Sequence, residues 1–307
     1  MTAPAFGPDW SAGFRRGSDV ELRGWVEAAL AWCDETDAIA LRHFRRDLEV
    51  ERKPDRTFVT IADTGIERLL RERIADAFPG HGMVGEEFGE EFGNESAGAA
   101  VRWYIDPIDA THNYIRGVPV FATLLAVERD GELQAAVISA PALGERWYGW
   151  RGGGAWAAAS GLAPGAVAAS GEGPEATAGA DDPRRIAVSR VGALSDAQVL
   201  YSSVSDLEAS GHAPGFPALR RGAWRERGFG DFWGYTLVAE GSAEVMVESD
   251  LNIWDAAAPT LLVEEAGGRV TDFEGRRSFE GATIVASNGL LHENVLSILV
   301  DGKEAPR

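Results

Sequence analysis

The segment that most constrains the fold of this chain is WYIDPIDATHNYIRGVP, residues 103–119. An apolar run ends at Asp106, and the proline that follows fixes its own backbone angle and biases Asp106 towards an extended conformation. Asp109 lies three residues beyond Asp106. The segment therefore predicts a strand that ends in a turn, with two carboxylates that converge on one point.

Two converging carboxylates suit a hard divalent cation. Mg²⁺ binds oxygen ligands at about 2.0–2.1 Å and accepts backbone carbonyl oxygens and water beside carboxylates. The turn offers Asp106, Asp109 and the carbonyl oxygen of Ile108. Taken alone, the same turn is more often a proline turn whose aspartates are solvated or cap a helix.

Other acidic residues also fall at the predicted ends of strands and helices. Asp63 stands between a β-branched run and a helix, and Asp255 is expected to begin another helix. Glu86 follows a short predicted strand in the sequence GEE. Gathered in one cleft, these carboxylates would repel one another unless divalent ions bound between them. The set therefore favours a metal site over a metal-free acid–base pair.

The order of predicted elements indicates an α+β fold rather than a barrel, because strands and helices mix without strict alternation. Residues 157–183 are rich in alanine and glycine and contain few large apolar groups, which predicts a flexible inserted loop. This loop would divide the chain into an N-terminal half, residues 1–156, and a C-terminal half, residues 184–307. The first half carries the GEE and DPID sequences and the second carries Asp255.

Charge and cysteine content limit the partners. The formal net charge of -19 repels nucleic acid and anionic membranes, so neither is expected as a partner. The single cysteine, Cys33, excludes an internal disulfide and fits a reducing cytoplasm. The chain shows no secretory signal and no membrane-spanning stretch, so a cytoplasmic location is expected.

Three sequences, GEE, DPIDATHNY and WDAAAPTLLVEEAGG, resemble in this order the signatures of the inositol monophosphatase superfamily of Mg²⁺-dependent, lithium-sensitive phosphomonoesterases. The resemblance covers roughly residues 20–300. It implies a layered α/β/α/β/α sandwich of the inositol monophosphatase and fructose-1,6-bisphosphatase type, and a homodimer. The segments THNYIRGVPVFATLLAV and SAPALGERWYGWRGGGAW look most like actinobacterial-type histidinol-phosphate phosphatases, which implies L-histidinol phosphate as the small-molecule substrate.

The resemblance also implies a role for each motif residue. Two to three Mg²⁺ ions, with Mn²⁺ as a substitute, would be held by these groups: Glu86, Asp106, the carbonyl of Ile108, Asp109 and Asp255. Asp63 would reach the third ion through water, and with Thr111 it would orient and deprotonate the attacking water. The backbone N–H groups of Ala110 and Thr111 would bind the phosphate oxygens.

One position departs from the pattern. The superfamily usually has glycine where this chain has Ala110. A methyl group leaves the N–H available, but it would strain the turn if the residue needs a positive φ. We therefore expect somewhat weaker phosphate binding rather than loss of activity.

Two further acidic residues are candidates for contact with the organic part of the substrate. Glu248, seven residues before Asp255, matches such a position in relatives, and Asp231 aligns less surely with another. Two carboxylates suit the cationic amine of histidinol phosphate better than a neutral polyol. For Asp231 a helix N-cap is the alternative, and Trp233 is a candidate to line the pocket against an imidazole.

Two other functions remain open at this point. An inositol-1-phosphate or broad-specificity sugar-phosphate phosphatase would use the same metal chemistry with a different pocket. A metal-binding regulatory protein without turnover could use the loop 157–183 to bind partners. The complete set of acidic residues and Thr111 favours an enzyme, because a non-catalytic protein has no chemical need to keep it together.

Overall fold

The computed structural model describes residues 19–46, 50–52, 58–93, 100–160 and 183–301. Its helices are α1 (Asp19–His43), α2 (Ile61–Ala77), α3 (Thr111–Ile115), α4 (Val204–Ser210), α5 (Phe216–Gly222), α6 (Asp231–Ala239), α7 (Ile253–Glu265) and α8 (His292–Asp301), with one 3₁₀ turn, Leu194–Asp196. None of these helices is long and apolar enough to cross a membrane.

The strands form one small hairpin and two larger sheets. They are β1 (Val50–Arg52), β2 (Phe58–Thr60), β3 (Gly82–Gly85), β4 (Gly89–Glu91), β5 (Val101–Asp109), β6 (Ala122–Arg129), β7 (Glu132–Ala140), β8 (Glu145–Trp150), β9 (Gly154–Ala159), β10 (Arg184–Ile186), β11 (Gln198–Tyr201), β12 (Arg225–Arg227), β13 (Val245–Ser249), β14 (Arg269–Thr271) and β15 (Thr283–Ser287). The eight-stranded sheet has the order β10-β9-β8-β7-β6-β5-β3-β4, and the five-stranded sheet has the order β12-β11-β13-β15-β14.

Three apolar cores hold the layers together. Helices α1 and α2 pack on one face of the large sheet, α6 and α7 lie between the two sheets, and α4, α5 and α8 cover the other face of the small sheet. The middle core joins side chains of both sheets to the alanine-rich face of α7, where Ala256, Ala257 and Ala258 are buried. Small side chains let the helix approach both sheets closely. The structure confirms the α/β/α/β/α sandwich.

The predicted inserted loop begins later than the sequence indicated. Strand β9 runs to Ala159, so the first three residues of the interval 157–183 belong to the sheet. Residues 161–182 of that interval lie outside the described residues. On the far side of the interval, β10 pairs antiparallel with β9, with Arg184 opposite Ala157. The first strand of the C-terminal half therefore joins the sheet of the N-terminal half.

Two helices that carry acidic motif residues begin in the same way. The N-cap of α2 is Thr60, whose hydroxyl accepts from Ala62 N–H, and its backbone N–H donates to Asp63 Oδ2 at 2.8 Å. In α7 the Asn252 N–H donates to Asp255 Oδ2 at 2.8 Å. The expectation that Asp255 begins its helix is therefore wrong by two residues. Both aspartates lie in a first turn, where the helix dipole favours a carboxylate.

Candidate active site

The end of β5 brings Asp106 and Asp109 to the same side of the sheet. In a regular strand, residues three apart point to opposite faces. Here Asp106 lies opposite Leu124 and Asp109 opposite Ala122, so β5 has one residue more than β6 in this interval. Pro107, which has no N–H for the ladder, lies in this bulge. The bulge therefore produces the convergence that the DPID sequence predicted.

A third carboxylate joins this pair from α7. Asp106, Asp109 and Asp255 each offer one oxygen, and the three oxygens lie within 4.8 Å of one another. The Phe232 N–H, at the start of α6, donates to Asp109 Oδ2 at 2.7 Å. The cluster is therefore assembled from the end of a strand and the first turn of a helix, with a second helix fixing Asp109.

Glu86 and Asp63 lie beside this cluster. Glu86 follows β3, and its N–H donates to Ile105 O at 3.2 Å. Its negative charge contributes more to the raised pKa of Asp106 than any other charged neighbour. Asp63 is fully buried, and its Oδ1 has no hydrogen-bond partner among the described residues.

The described residues do not neutralise these carboxylates. Burial first, and then neighbouring carboxylates, raise the pKa values of Asp106 and Asp109 well above the usual range. Burial also raises the pKa of Asp63 to about 6 and that of Asp255 to about 7. No lysine or arginine lines this cleft in the described part of the chain.

These groups fit a divalent cation. All of the donors are oxygens, as hard cations require. Asp106 Oδ1 and Asp63 Oδ1 are buried atoms for which the described residues provide no hydrogen-bond donor. A buried carboxylate oxygen without a partner is costly unless a positive charge lies next to it. The acidic cluster can therefore hold metal.

Thr111 and Ala110 form the turn that follows β5. The Thr111 hydroxyl donates to Ile108 O at 2.9 Å, while Asp63 Oδ2 accepts from Thr60. Within the described ranges, no hydrogen bond joins Thr111 to Asp63. Ala110 has φ 62° and ψ 44°, which is the left-handed conformation, so its methyl group strains the turn.

The opposite wall of the cleft carries Asp231 and Glu248. Asp231 is the first residue of α6 and has φ 56°. The N-cap of that helix is Gly230, so the alternative of Asp231 as an N-cap is wrong. Glu248 lies in β13, is buried and accepts from the Tyr235 hydroxyl at 2.7 Å. Burial, and secondly the charge of Asp231, raise the pKa of Glu248 to about 8.

An aromatic pair completes this wall. The rings of Phe229 and Trp233 are 4.7 Å apart at an interplanar angle of 34°, and both residues line the cleft. The cleft has a volume of about 580 Å³. The structure brings nine of the ten sequence-predicted site residues to its wall: Glu86, Asp106, Ile108, Asp109, Ala110, Thr111, Asp231, Glu248 and Asp255. Asp63, the tenth, is buried, and its charge interacts with those of Asp106 and Glu86.

Sequence reasoning missed three supporting contacts. Phe232 fixes Asp109 through its backbone N–H, Tyr235 holds Glu248, and Glu67 of α2 accepts from the N–H of Glu87, next to Glu86. No local signal identifies the first two, because the partners come from different elements. Glu67 lies four residues after Asp63, and that helical spacing could have placed it on the same face of α2.

Comparison with known proteins agrees with the fold. The inositol monophosphatase family matches residues 21–304. A histidinol-phosphatase of Mycobacterium tuberculosis is 39% identical over 275 residues, which cover 89% of this chain and 97% of the relative. A histidinol-phosphatase of Streptomyces coelicolor is 42% identical over 272 residues, which cover 87% and 93%.

Solved structures show the same architecture. An IMPase of Thermotoga maritima superposes with a TM-score of 0.74 at 27% identity and covers 91% of this chain and 97% of its own. The extragenic suppressor protein suhB of Bartonella henselae gives a TM-score of 0.76 at 26% identity, over 91% of this chain and all of its own. Together with the acidic cluster at the end of β5 and the start of α7, these matches show that the chain belongs to the inositol monophosphatase family.

Proposed function

We propose that this protein is a Mg²⁺-dependent phosphomonoesterase that hydrolyses L-histidinol phosphate to L-histidinol and phosphate. The observation that carries the phosphatase assignment is the cluster of Asp106, Asp109 and Asp255 within a cleft without a lysine or arginine in its described lining. The names of the relatives that are 39–42% identical over most of the chain support the substrate.

The residues that would hold the ions follow from the cleft and the family resemblance. Glu86, Asp106 and the Ile108 carbonyl would hold one Mg²⁺, and Asp106 would share a second with Asp109 and Asp255. A third, weaker ion would lie near Glu86. When bound, the ions make water a stronger nucleophile at neutral pH and offset the negative charge that develops on the phosphate.

The residues of the chain would orient the reactants. Asp63 and Thr111 would hold the attacking water, and the Asp63 carboxylate would receive its proton. The N–H groups of Ala110 and Thr111, which have no partner inside α3, would donate to the phosphate oxygens. Attack of this water would form a new P–O bond and break the bond to the ester oxygen, which takes up a proton and leaves as the alcohol, so no phosphoenzyme is needed.

The far wall of the cleft would select the organic group. Asp231 and Glu248 are two carboxylates that can accept from a cationic amine, and a positive charge between them would relieve their mutual repulsion. The rings of Phe229 and Trp233 offer a flat surface to an imidazole. An inositol ring would only donate hydroxyl hydrogen bonds to the same carboxylates.

Several broader properties belong to the same proposal because the family resemblance implies them. They are a homodimer, inhibition by lithium, Mn²⁺ as a substitute metal and a cytoplasmic location. Nucleic acid and membranes are not expected as partners, in keeping with the net charge of -19.

The experiment is phosphate release from histidinol phosphate, inositol-1-phosphate, fructose-1,6-bisphosphate and 3'-phosphoadenosine 5'-phosphate, with Mg²⁺ present or chelated. We expect Mg²⁺-dependent preference for histidinol phosphate and a loss of at least about 100-fold in Asp106→Asn, since even outer partners of metal ligands contribute about 10–100-fold. Glu248→Gln should lower kcat/KM for histidinol phosphate by about tenfold and change that for inositol-1-phosphate less.

Each other outcome points to a different alternative. Equal rates on all substrates, or preference for inositol-1-phosphate, would leave the metal site and overturn the histidinol assignment. No release from any substrate, with Mg²⁺ still bound in calorimetry, would favour the regulatory protein. An unchanged kcat/KM in Glu248→Gln would remove that residue from the substrate site.

A further inference from the structure

A buried glutamate of α2 holds the turn that carries Glu86. Glu67 is fully buried, and its Oε2 accepts from the Glu87 N–H at 2.7 Å while its Oε1 accepts from the Phe88 N–H at 3.2 Å. These two amides follow Glu86 directly in the chain. One carboxylate therefore fixes the backbone just after Glu86 to a helix on the neighbouring layer.

The end of β3, directly before Glu86, also packs against the Glu67 carboxylate. A Cβ added at Gly85 would lie 2.1 Å from Glu67 Oε1, so only glycine allows β3 to approach so closely. Glu86 is thus held on both sides, by a close backbone approach before it and by two hydrogen bonds after it.

Arg71 completes the attachment. Its Nε donates to Glu67 Oε1 at 2.9 Å, and its Nη2 donates to Gly89 O at the start of β4. The buried charge of Glu67 therefore has a positive partner within the same helix, one turn further on. Because Arg71 neutralises its charge, Glu67 needs no metal ion as a partner, and both of its oxygens can accept from the backbone amides after Glu86.

We infer that Glu67 is a positioning residue that sets the metal affinity of the site by fixing Glu86. The inference rests on the proposed function, in which Glu86 is a metal ligand. Since α2 also carries Asp63 one turn earlier, a single helix would fix both groups relative to each other. Metal ligands that are held in place lose less conformational freedom on binding, and outer partners of ligands typically change metal affinity by about 10–100-fold.

The test is calorimetric titration of Mg²⁺ and of Mn²⁺ into metal-free wild-type protein and Glu67→Gln, without substrate. The two amides donate to different oxygens of Glu67, and in glutamine an NH₂ group replaces one of these oxygens, so one amide would face a donor instead of an acceptor. We expect the Kd for the metal to rise by at least about tenfold. The Mg²⁺ concentration for half-maximal phosphate release should rise in parallel, and excess Mg²⁺ should restore most of kcat.

Three variants separate positioning from general stability. Arg71→Lys keeps the carboxylate and a positive charge but loses the forked donor, so it should raise the Kd less than Glu67→Gln does. Glu72→Gln changes an exposed glutamate of the same helix and should leave metal binding unchanged. Asp37→Asn disrupts a buried carboxylate in α1 and should lower Tm without changing the Kd for the metal.

The outcomes distinguish this inference from the proposed function. If wild-type protein binds neither metal, the proposed metal site itself fails. If wild-type binds metal and Glu67→Gln binds it equally well while remaining folded, Glu67 has no positioning role. Should Glu67→Gln fail to fold, an unchanged Kd in Arg71→Lys would overturn the inference, and a raised one would support it.

Discussion

Asp37 and Asp106 are both buried aspartates, but their surroundings are opposite. Both oxygens of Asp37 accept from the Ser139 hydroxyl at 2.9 Å, and Arg146 Nη2 donates to Oδ2 at 2.5 Å. Asp106 is as deeply buried, but its Oδ1 accepts no hydrogen bond from the described residues. The charged groups that act on it are Glu86, Asp109, Asp255 and Asp63.

Asp37 therefore has the partners of a carboxylate that stabilises the fold, whereas Asp106 has the surroundings of a carboxylate that binds a ligand. The partners of Asp37 come from β7 and β8, so its charge is neutralised when the large sheet packs against α1. The described lining of the cleft around Asp106 contains no lysine or arginine, so the described residues supply no such counter-charge there. A folded protein keeps such an arrangement at a cost in stability, which is typical of functional sites.

Breaking the paired site should have the largest effect on stability. Asp37→Asn removes the buried counter-charge of Arg146 and leaves only the exposed Asp34 paired with the guanidinium, and breaking a buried ion pair typically costs about 3–5 kcal/mol. We expect a lower Tm and a lower free energy of unfolding in urea, with the Mg²⁺ dependence of the folded enzyme unchanged. An unchanged free energy of unfolding would mean that the Asp37–Arg146 pair does not stabilise the fold.

Asp106→Asn should raise the free energy of unfolding of the metal-free protein, whereas Asp37→Asn lowers it. Because the native pKa of Asp106 lies well above its usual value, the protonated form is favoured by folding. The stabilisation that protonated Asp106 provides is complete below the pKa of the unfolded chain, about 3.9, and is lost as the pH rises through the native pKa. With a chelator at pH 8, we expect the asparagine variant to be more stable than wild type, by on the order of 1–2 kcal/mol.

Two controls sharpen this prediction. The difference in Tm between Asp106→Asn and wild type should shrink as the pH falls from about 8 towards the unfolded pKa of about 3.9, since the native Asp106 side chain becomes protonated and uncharged, like asparagine. Excess Mg²⁺ should raise the Tm of wild type and not that of the variant. A variant that is less stable than wild type at every pH without metal would show that the chain neutralises Asp106 after all.

The smallest effect concerns backbone strain at the cleft. Ala110→Gly should stabilise the protein by roughly 0.5–1 kcal/mol. The left-handed conformation disfavours alanine by about 1–2 kcal/mol, and the greater conformational entropy of glycine in the unfolded chain offsets part of the gain. Thermal unfolding measures the gain. If the methyl group weakens phosphate binding, KM should also fall modestly.

A matched change lies far from the cleft. Asp130, in the turn between β6 and β7, has φ 55°. Asp130→Gly should alter stability less, since aspartate tolerates this conformation better than alanine, and it should leave KM unchanged. Equal effects of the two substitutions on KM would show that the change at Ala110 does not act through the phosphate site.

Much of the fold could be predicted because its signals are local. The dipeptide Asp130-Gly131 alone predicts the hairpin that β6 and β7 form, and the local pattern of residues 145–150 predicts a strand with the bounds of β8. The sequence also located the acidic residues, since Asp106, Ile108 and Asp109 are neighbours in one motif. The convergence of the two aspartates required only a proline in the strand.

Contacts between distant parts of the chain could not be predicted in this way. The bond from Phe232 N–H to Asp109 Oδ2 spans 123 residues, and only the packed structure creates it. The positive φ of Asp231 likewise depends on how α6 meets the cleft. The local sequence pattern predicts a strand at 185–189, but β10 lies at Arg184–Ile186 because its bounds follow from pairing with β9.

The antiparallel pairing of β9 and β10 has a consequence for the gene as well as for the fold. Arg184 is fixed opposite Ala157 by the sheet, so codons added to the connection between them leave this pairing in place and raise the entropy of closing the connection. That entropy costs about 0.6 kcal/mol for each doubling of length. Strand β10 lies at the edge of the large sheet, five strands away from β5. An epitope or a fluorescent label inserted there should report on the protein without disturbing the cleft.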